Sequence, residues 1–259
     1  MIKQLQILFI LLSCCLLGKA GNDNNDDFQG DISSPAVRNN IKYNYDQIAG
    51  ISNNKQTHFS DDFNLPQLRS IWQSNIDKDG WTLEEHPGFL RIKAQRFSFY
   101  DHSFTENSFY QRIKFNASGE IVSLFDMANL SENSNAGLFL ASETTNLIGI
   151  ETSGDSKKLV AKVNNLIFSG PVISENSIML RIKFECNKVC FEYSVNGYSF
   201  SQLGPVFQIS SLSNDFVGFY CLNEKIEIGS IDVDWFYCNP FVSDETKFAE
   251  RENIFNSEL

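Results

Sequence analysis

The chain has 259 residues, with 32 Asp and Glu against 21 Lys and Arg and a formal charge of −11. That balance repels phosphate backbones, no basic patch interleaved with aromatics is present, and nucleic acid is therefore excluded as a partner. Hydrophobic residues at 42% suffice for a core, the 23 Phe lean towards half-buried pleated sheet, and the length suits one large all-β domain with tails or two small domains.

The first twenty residues, MIKQLQILFILLSCCLLGKA, set Lys3 before an apolar run from Ile7 to Leu17 and a small-x-small site at Gly18-Lys19-Ala20. Residues 1–20 read as a secretory signal peptide, too short to span a bilayer, and the protein is expected to be secreted. A second reading stays open: Leu11 to Cys14 resembles a lipoprotein box, which would anchor the chain to the cell envelope through a lipidated Cys14. No other segment has the length and apolarity of a membrane span. Residues 21–57 are rich in Asn, Asp, Gly and Ser without sustained periodicity. They are expected to form a flexible polar leader, because they carry too little apolar area to offset their ordering entropy.

From His58 the texture changes to short alternating or apolar runs. In DGWTLEEHPGFLRIKA, Asp79 to Ala94, two period-two runs flank Pro87-Gly88. Proline presets φ at the first corner of a type II turn and glycine supplies the positive φ of the second, so the stretch predicts a β-hairpin. Glu84 and Glu85, adjacent on its first strand, would point to opposite faces. Further runs follow, among them EIVSLFDM, NAGLFLAS, SIMLRIKFEC, FVGFYCL and SIDVDWFYC, separated by turn signals such as SGD at 153 and NG at 196. About a dozen strands with almost no helical periodicity predict a β-sandwich over 58–238. Trp72, Trp81 and Trp235 fall on its apolar side. Residues 239–259 read as a charged C-terminal tail.

Once the leader is removed, Cys186, Cys190, Cys221 and Cys238 remain, and an oxidising compartment would permit disulfides. RIKFECNKVCFEY predicts a hairpin with its tip near Asn187-Lys188. A three-residue loop would set Cys186 opposite Cys190, whereas a two-residue loop would forbid the bond; the Cys186–Cys190 pairing is the one favoured. A zinc site is not expected, since Cys-x₃-Cys lacks a second pair and the three histidines lie elsewhere.

Taken in order, these runs are similar to the C-terminal concanavalin A-like domain of family 43 glycoside hydrolases of the β-xylosidase type. FSDDFNLPQLRSIWQSNIDKDGWTLEEHPGFLRIKA resembles that domain's acidic-Phe opening, its two Trp and its PGxLR turn. NAGLFLASETTN resembles its Ala-Gly-Leu strand, VCFEYSVNGYSFSQLG its NG hairpin, and VGFYCLNEKIEIGSIDVDWFYC its closing GxY and DxDW strands. The resemblance implies an all-β, concanavalin A-like two-sheet β-sandwich, a jelly roll. In the family the catalytic carboxylates sit in a preceding five-bladed propeller. Blades take roughly 40–50 residues each, and fewer than sixty residues precede Phe59, so this reading expects the sandwich without the propeller.

The function expected from the resemblance is a secreted, non-catalytic carbohydrate-binding or accessory module that meets a xylan-like polysaccharide. The alternatives are a structural protein docking on a separate glycoside hydrolase and a weak glycosidase in its own right. Sugar-binding modules stack exposed aromatic rings on pyranose faces. Aromatics off the alternation or in loops are the candidates: Tyr100, Phe104, Tyr110, Tyr198, Phe200 and Phe216, the last matching a family aromatic near the GxY strand. Many concanavalin-like sandwiches share a calcium ion between first and last strands. Asp61 and Asp62 at the start and Asp232 and Asp234 at the end are the candidate ligands, and calcium is the one candidate cofactor.

Overall fold

Alternation of apolar side chains at period two gives each strand one face for a core. The computed structural model describes residues 32–48, 59–96, 107–113, 118–142, 144–185, 187–209 and 215–241. A helix, α1 (Pro35–Ile48), comes first, followed by β1 (Gln73–Ser74), a single 3-10 turn at Lys78–Gly80, β2 (Trp81–Thr82), β3 (Leu90–Lys93) and β4 (Gln95–Arg96). The longer strands are β5 (Ser108–Ile113), β6 (Ser118–Asp126), β7 (Ser134–Ala141), β8 (Thr145–Ser153), β9 (Ser156–Val163), β10 (Leu166–Ile173), β11 (Ser177–Glu185) and β12 (Lys188–Ser194). Two short strands, β13 (Ser201–Gln202) and β14 (Phe207–Gln208), precede β15 (Asp215–Asn223) and β16 (Ser230–Phe241).

They form two eight-stranded sheets. One runs β1-β5-β15-β7-β8-β9-β10, with β4 added in parallel to β15; the other runs β13-β12-β11-β6-β16-β3-β2, with β14 added to β12. We refer to them as the β15 sheet and the β16 sheet. This is the concanavalin A-like sandwich implied by the sequence. The strands exceed a dozen because five of them are only two residues long, too short to show a period in the sequence.

Between the sheets lies one apolar core, in which Phe109, Phe125, Phe191, Phe219 and Phe236 are among the fully buried side chains. Trp72 is its hub: its ring lies 5.1–5.8 Å from those of Phe63, Phe109, Phe219 and Phe236. Its indole N–H donates to Asp61 Oδ2 at 2.8 Å, which satisfies the only polar atom the ring carries into the core. Cys221 and Cys238 also face this core, and burial pushes both thiols up to about 12.

The expected hairpin forms. Phe89 N–H donates to His86 C=O at 3.0 Å and Gly88 has φ +85°, the geometry of a type II turn with Pro87 and Gly88 at its corners. Trp81 pairs with Ile92 and Thr82 with Arg91, but the first strand stops there. Thr82 Oγ1 accepts from Glu84 N–H at 3.0 Å and bends the chain, so Glu84 and Glu85 lie in the connection and not on a strand.

Two expectations are corrected. Part of the segment expected as a flexible polar leader is helical: α1 spans Pro35–Ile48. Ser34 caps it, accepting from Val37 N–H on its hydroxyl and from Arg38 N–H on its carbonyl, with Pro35 at the first helical position. Ile32, Val37 and Ile41 supply the apolar contacts that composition hid among the Asn residues. Trp235 is not in the core between the sheets. The register of β16 shifts between Val233 and Trp235, a bulge at Asp234. It turns Trp235 and Tyr237 outward, into a second cluster with Ile32, Val37 and Ile41.

Candidate functional site

The outer faces of the sheets carry the side chains free to meet a ligand. On the β15 sheet, Tyr110 and Phe216 are half-buried and meet edge to face with centroids 5.2 Å apart. Arg112, two residues along β5 from Tyr110 and opposite Phe216 in the register, holds its guanidinium 5.1 Å from the Phe216 ring. Phe139, Leu147, Val160, Tyr220 and Leu222 form the buried floor beside them.

Phe200 and Tyr198 lie on the other sheet. Phe200 packs on the outward cluster that contains Trp235, and the Arg181 guanidinium covers its ring at 3.7 Å. Tyr198, 46% exposed, stands in the Asn196–Ser199 turn, where Asn196 Oδ1 accepts from the backbone N–H of Tyr198 and Ser199. The structure therefore divides the expected sugar-binding residues between two opposite faces: Tyr110 with Phe216, and Tyr198 with Phe200. Tyr100 and Phe104 lie outside the described residues. Arg112 and Arg181 were not singled out from the sequence; the period-two spacing of Tyr110 and Arg112 was the available signal.

The carboxylates are occupied by protein partners. Asp232, 2% exposed, receives Arg91 Nε and Nη2 at 2.7 Å each and contacts His86 Nδ1 at 2.7 Å. This grip holds the Arg91 guanidinium pKa above its usual range, Asp232's hydrogen bonds being the main cause. The His86 ring in turn stacks on Phe89 at 3.8 Å. Asp61 accepts from Trp72 and from Phe63 N–H; burial raises its pKa above the ordinary carboxylate range. Asp62 pairs with Lys42 at 3.3 Å; burial pushes its carboxyl up, but the Asn64 hydrogen bonds and the Lys42 charge outweigh that and lower it. Asp234, at the bulge, is raised by burial despite Arg38, Lys42 and His86 nearby. Glu120 and Glu192 flank Arg181 at 3.2 and 2.5 Å, and burial raises Glu120. Asp61, Asp62 and Asp232 thus bond to protein groups and Asp234 lies near the Arg38 and Lys42 charges, and among the described residues no group of three or more His, Cys, Asp or Glu could hold a metal ion.

In the β11–β12 hairpin, Glu185 is opposite Lys188 and Lys183 opposite Cys190. Cys186 lies outside the described residues, as does the leader over 1–20 with Cys14. Among the described residues no helix is long and apolar enough to cross a membrane.

Residues 60–239 match the β-xylosidase C-terminal concanavalin A-like domain. The chain is similar to a β-xylosidase of Formosa agariphila, 30% identical over 201 residues, covering 68% of this chain and 34% of that enzyme. Among solved structures it is similar to a GH43 glycoside hydrolase whose engineered active site displays endo-xylanase and exo-arabinofuranosidase activity; identity is 20% and the TM-score 0.64, over 74% of this chain and 42% of that one. It is also similar to a bifunctional GH43-CE protein of Bacteroides eggerthii, at 22% identity and a TM-score of 0.62, over 71% of this chain and 26% of that one. At these identities the structures speak to the fold alone. The chain spans about a third of the length of the curated β-xylosidase it matches. With 60–239 matched along two sheets in the expected order, the chain belongs to the family of β-xylosidase C-terminal concanavalin A-like domains.

Proposed function

We propose that this sandwich is an exported, non-catalytic accessory module of xylan-directed glycoside hydrolysis, which meets polysaccharide through Tyr110 and Phe216. The observation that carries the non-catalytic reading is the state of the buried carboxylates. A glycosidase needs two carboxyl groups roughly 5–10 Å apart with a sugar between them. Here Asp61 is spent on Trp72, Asp232 on Arg91 and His86, and the facing pair Glu120 and Glu192 has a guanidinium between its members. The choice of face follows from grouping. Tyr110 and Phe216 meet edge to face with Arg112 5.1 Å from the Phe216 ring, which sets two rings and a cation together, whereas the Phe200 ring is covered by Arg181 at 3.7 Å. Export is supported by Lys3 and the apolar run ending before Gly18-Lys19-Ala20.

Affinity electrophoresis through soluble xylan tests the reading. The wild-type chain is expected to be retarded. Phe216→Ala and Tyr110→Ala should migrate as in a gel without xylan, and Tyr198→Ala should be retarded like the wild type. A wild-type chain that is not retarded, or binding lost only with Tyr198→Ala, overturns it.

A further inference from the structure

An antiparallel sheet that faces water on one side ordinarily shows polar side chains there. One part of the outer face of the β16 sheet does not. Val122 and Leu124 of β6, Met179 of β11, and Trp235 and Tyr237 of β16 point outward and are all buried, in a cluster separate from the main core. Ile32, Val37 and Ile41 cover them. An acidic rim borders this floor: Asp126 receives Arg38 at 3.1 Å, Asp62 receives Lys42 at 3.3 Å, and Asp234 lies near the same two cations. Across from the rim, the Asn196–Gly197 turn forms a notch. A Cβ at position 197 would stand 2.2 Å from Ile41 Cδ1 and 3.4 Å from Ile32 Cγ2, so the apolar side chains enter where a side chain is missing. Floor, rim and notch fit a helix with two apolar side chains four residues apart, each followed by a cation: Val37-Arg38 and Ile41-Lys42.

The helix that fills this groove is poorly equipped to stand alone. It has no acidic side chain in its first turn and no basic one in its last, so its dipole is uncompensated, and PAVRNNIKYNYDQI is rich in Asn, a weak helix former. It also precedes the matched domain, residues 60–239, so the groove is built by the sandwich and α1 is an occupant added to it. The geometry points to the outer face of the β16 sheet as a binding groove for a partner's amphipathic helix carrying that same signature, apolar-basic repeated at i+4, with α1 as the cis occupant the partner displaces.

The test uses the full chain carrying Arg38→Glu and Ile41→Asp, which loosen α1 and leave every groove residue in place. The probe is a fluorescein-labelled peptide of residues 33–48, followed by anisotropy. The loosened chain should bind one peptide saturably, and the wild-type chain at least tenfold more weakly because its own helix competes. A peptide with Arg38→Glu should also bind at least tenfold more weakly, and Asp126→Lys in the groove should restore it while weakening the native peptide. No saturable binding by a loosened chain that still unfolds cooperatively overturns the proposal. So does a loosened chain that cannot fold, since α1 is then part of the domain. Hydrogen exchange on the wild type gives an independent readout: α1 amides should exchange well ahead of β6, β11 and β16, and equal protection is the contrary result. If the wild-type chain sediments as a dimer that the peptide dissolves, the occupant is a second copy, and the partner reading falls.

Discussion

Asp232 shows how one side chain can fix a whole corner. It reaches β3 through Arg91 Nε and Nη2 and the type II turn through His86, which is itself stacked on Phe89. At 2% exposure it is a buried partner, and deleting one member of such a pair strands the other charge, which costs about 3–5 kcal/mol. Asp232→Ala should therefore lose about 3 kcal/mol or more in urea unfolding, and a loss under 1 kcal/mol would show that Arg91 finds solvent instead. Asp234, two residues on, behaves oppositely. Burial raises its pKa, so the native state holds that proton more tightly than the unfolded chain does. Between the ordinary carboxylate range and the raised value the native state binds more protons, and stability falls as pH rises through that window. Above the window the ionised carboxylate remains a net cost. Asp234→Asn should be more stable than wild type at neutral pH, with the gap closing as pH drops below the carboxylate range. Urea midpoints at the two pH values check this; a variant less stable at neutral pH would mean that Arg38 and Lys42 outweigh burial.

Elements depend on such residues through register and contact, and α1 depends on Gly197. Its φ of +78° is one an L side chain adopts only at a cost of about 1–2 kcal/mol, and any Cβ there meets Ile41. Gly197→Ala should destabilise the protein by about 1–3 kcal/mol and make Trp235 emission more solvent-exposed; unchanged emission would separate α1 from that turn. The turn itself was legible, because Asn-Gly between alternating runs is a strong local signal. Its role as a notch was not, because nothing local says which segment returns to it. The same division runs through the other elements. Pro87-Gly88 declared its turn, but the Thr82 hydroxyl that ends β2 looked like any strand threonine. EIVSLFDM is apolar on both faces, the mark of a strand covered twice, yet the cover was hidden in an Asn-rich segment with three apolar contacts. The bulge at Asp234 inserts one residue without changing composition, so alternation alone assigned Trp235 to the wrong face. Of the candidate site, the residue types were readable, but the side of the sandwich was not, since it depends on pairings between strands more than a hundred residues apart, such as β5 with β15.

At the scale of the whole molecule, chemistry is limited by what the carboxylates already do. The described sandwich buries three of them, Asp61, Glu120 and Asp232, and each has a cation or an N–H donor within 3.2 Å. A general acid must hold a proton near neutral pH beside a leaving group, and its partner must be free to attack or to activate water. Glu120, raised by burial, comes nearest to the first requirement. Its facing carboxylate, Glu192, is tied to Arg181, and the guanidinium stands where the sugar would lie, beneath the Phe200 ring. The purified chain should therefore release no xylose or arabinose from aryl glycosides above the buffer rate, and Glu120→Gln should leave that rate unchanged. Binding should be weak. One stacked ring contributes about 1–2 kcal/mol, so the Tyr110–Phe216 pair would give dissociation constants on the order of millimolar. Such affinity is enough to hold a tethered or partnered enzyme near a polymer that offers many copies of the same sugar, because effective concentration multiplies it. Soluble xylo-oligosaccharides should then compete poorly with xylan, by tenfold or more per sugar unit. Turnover abolished by Glu120→Gln would make the sandwich an enzyme, and equal competition by a short oligosaccharide would replace the avidity reading with a deep single-site one.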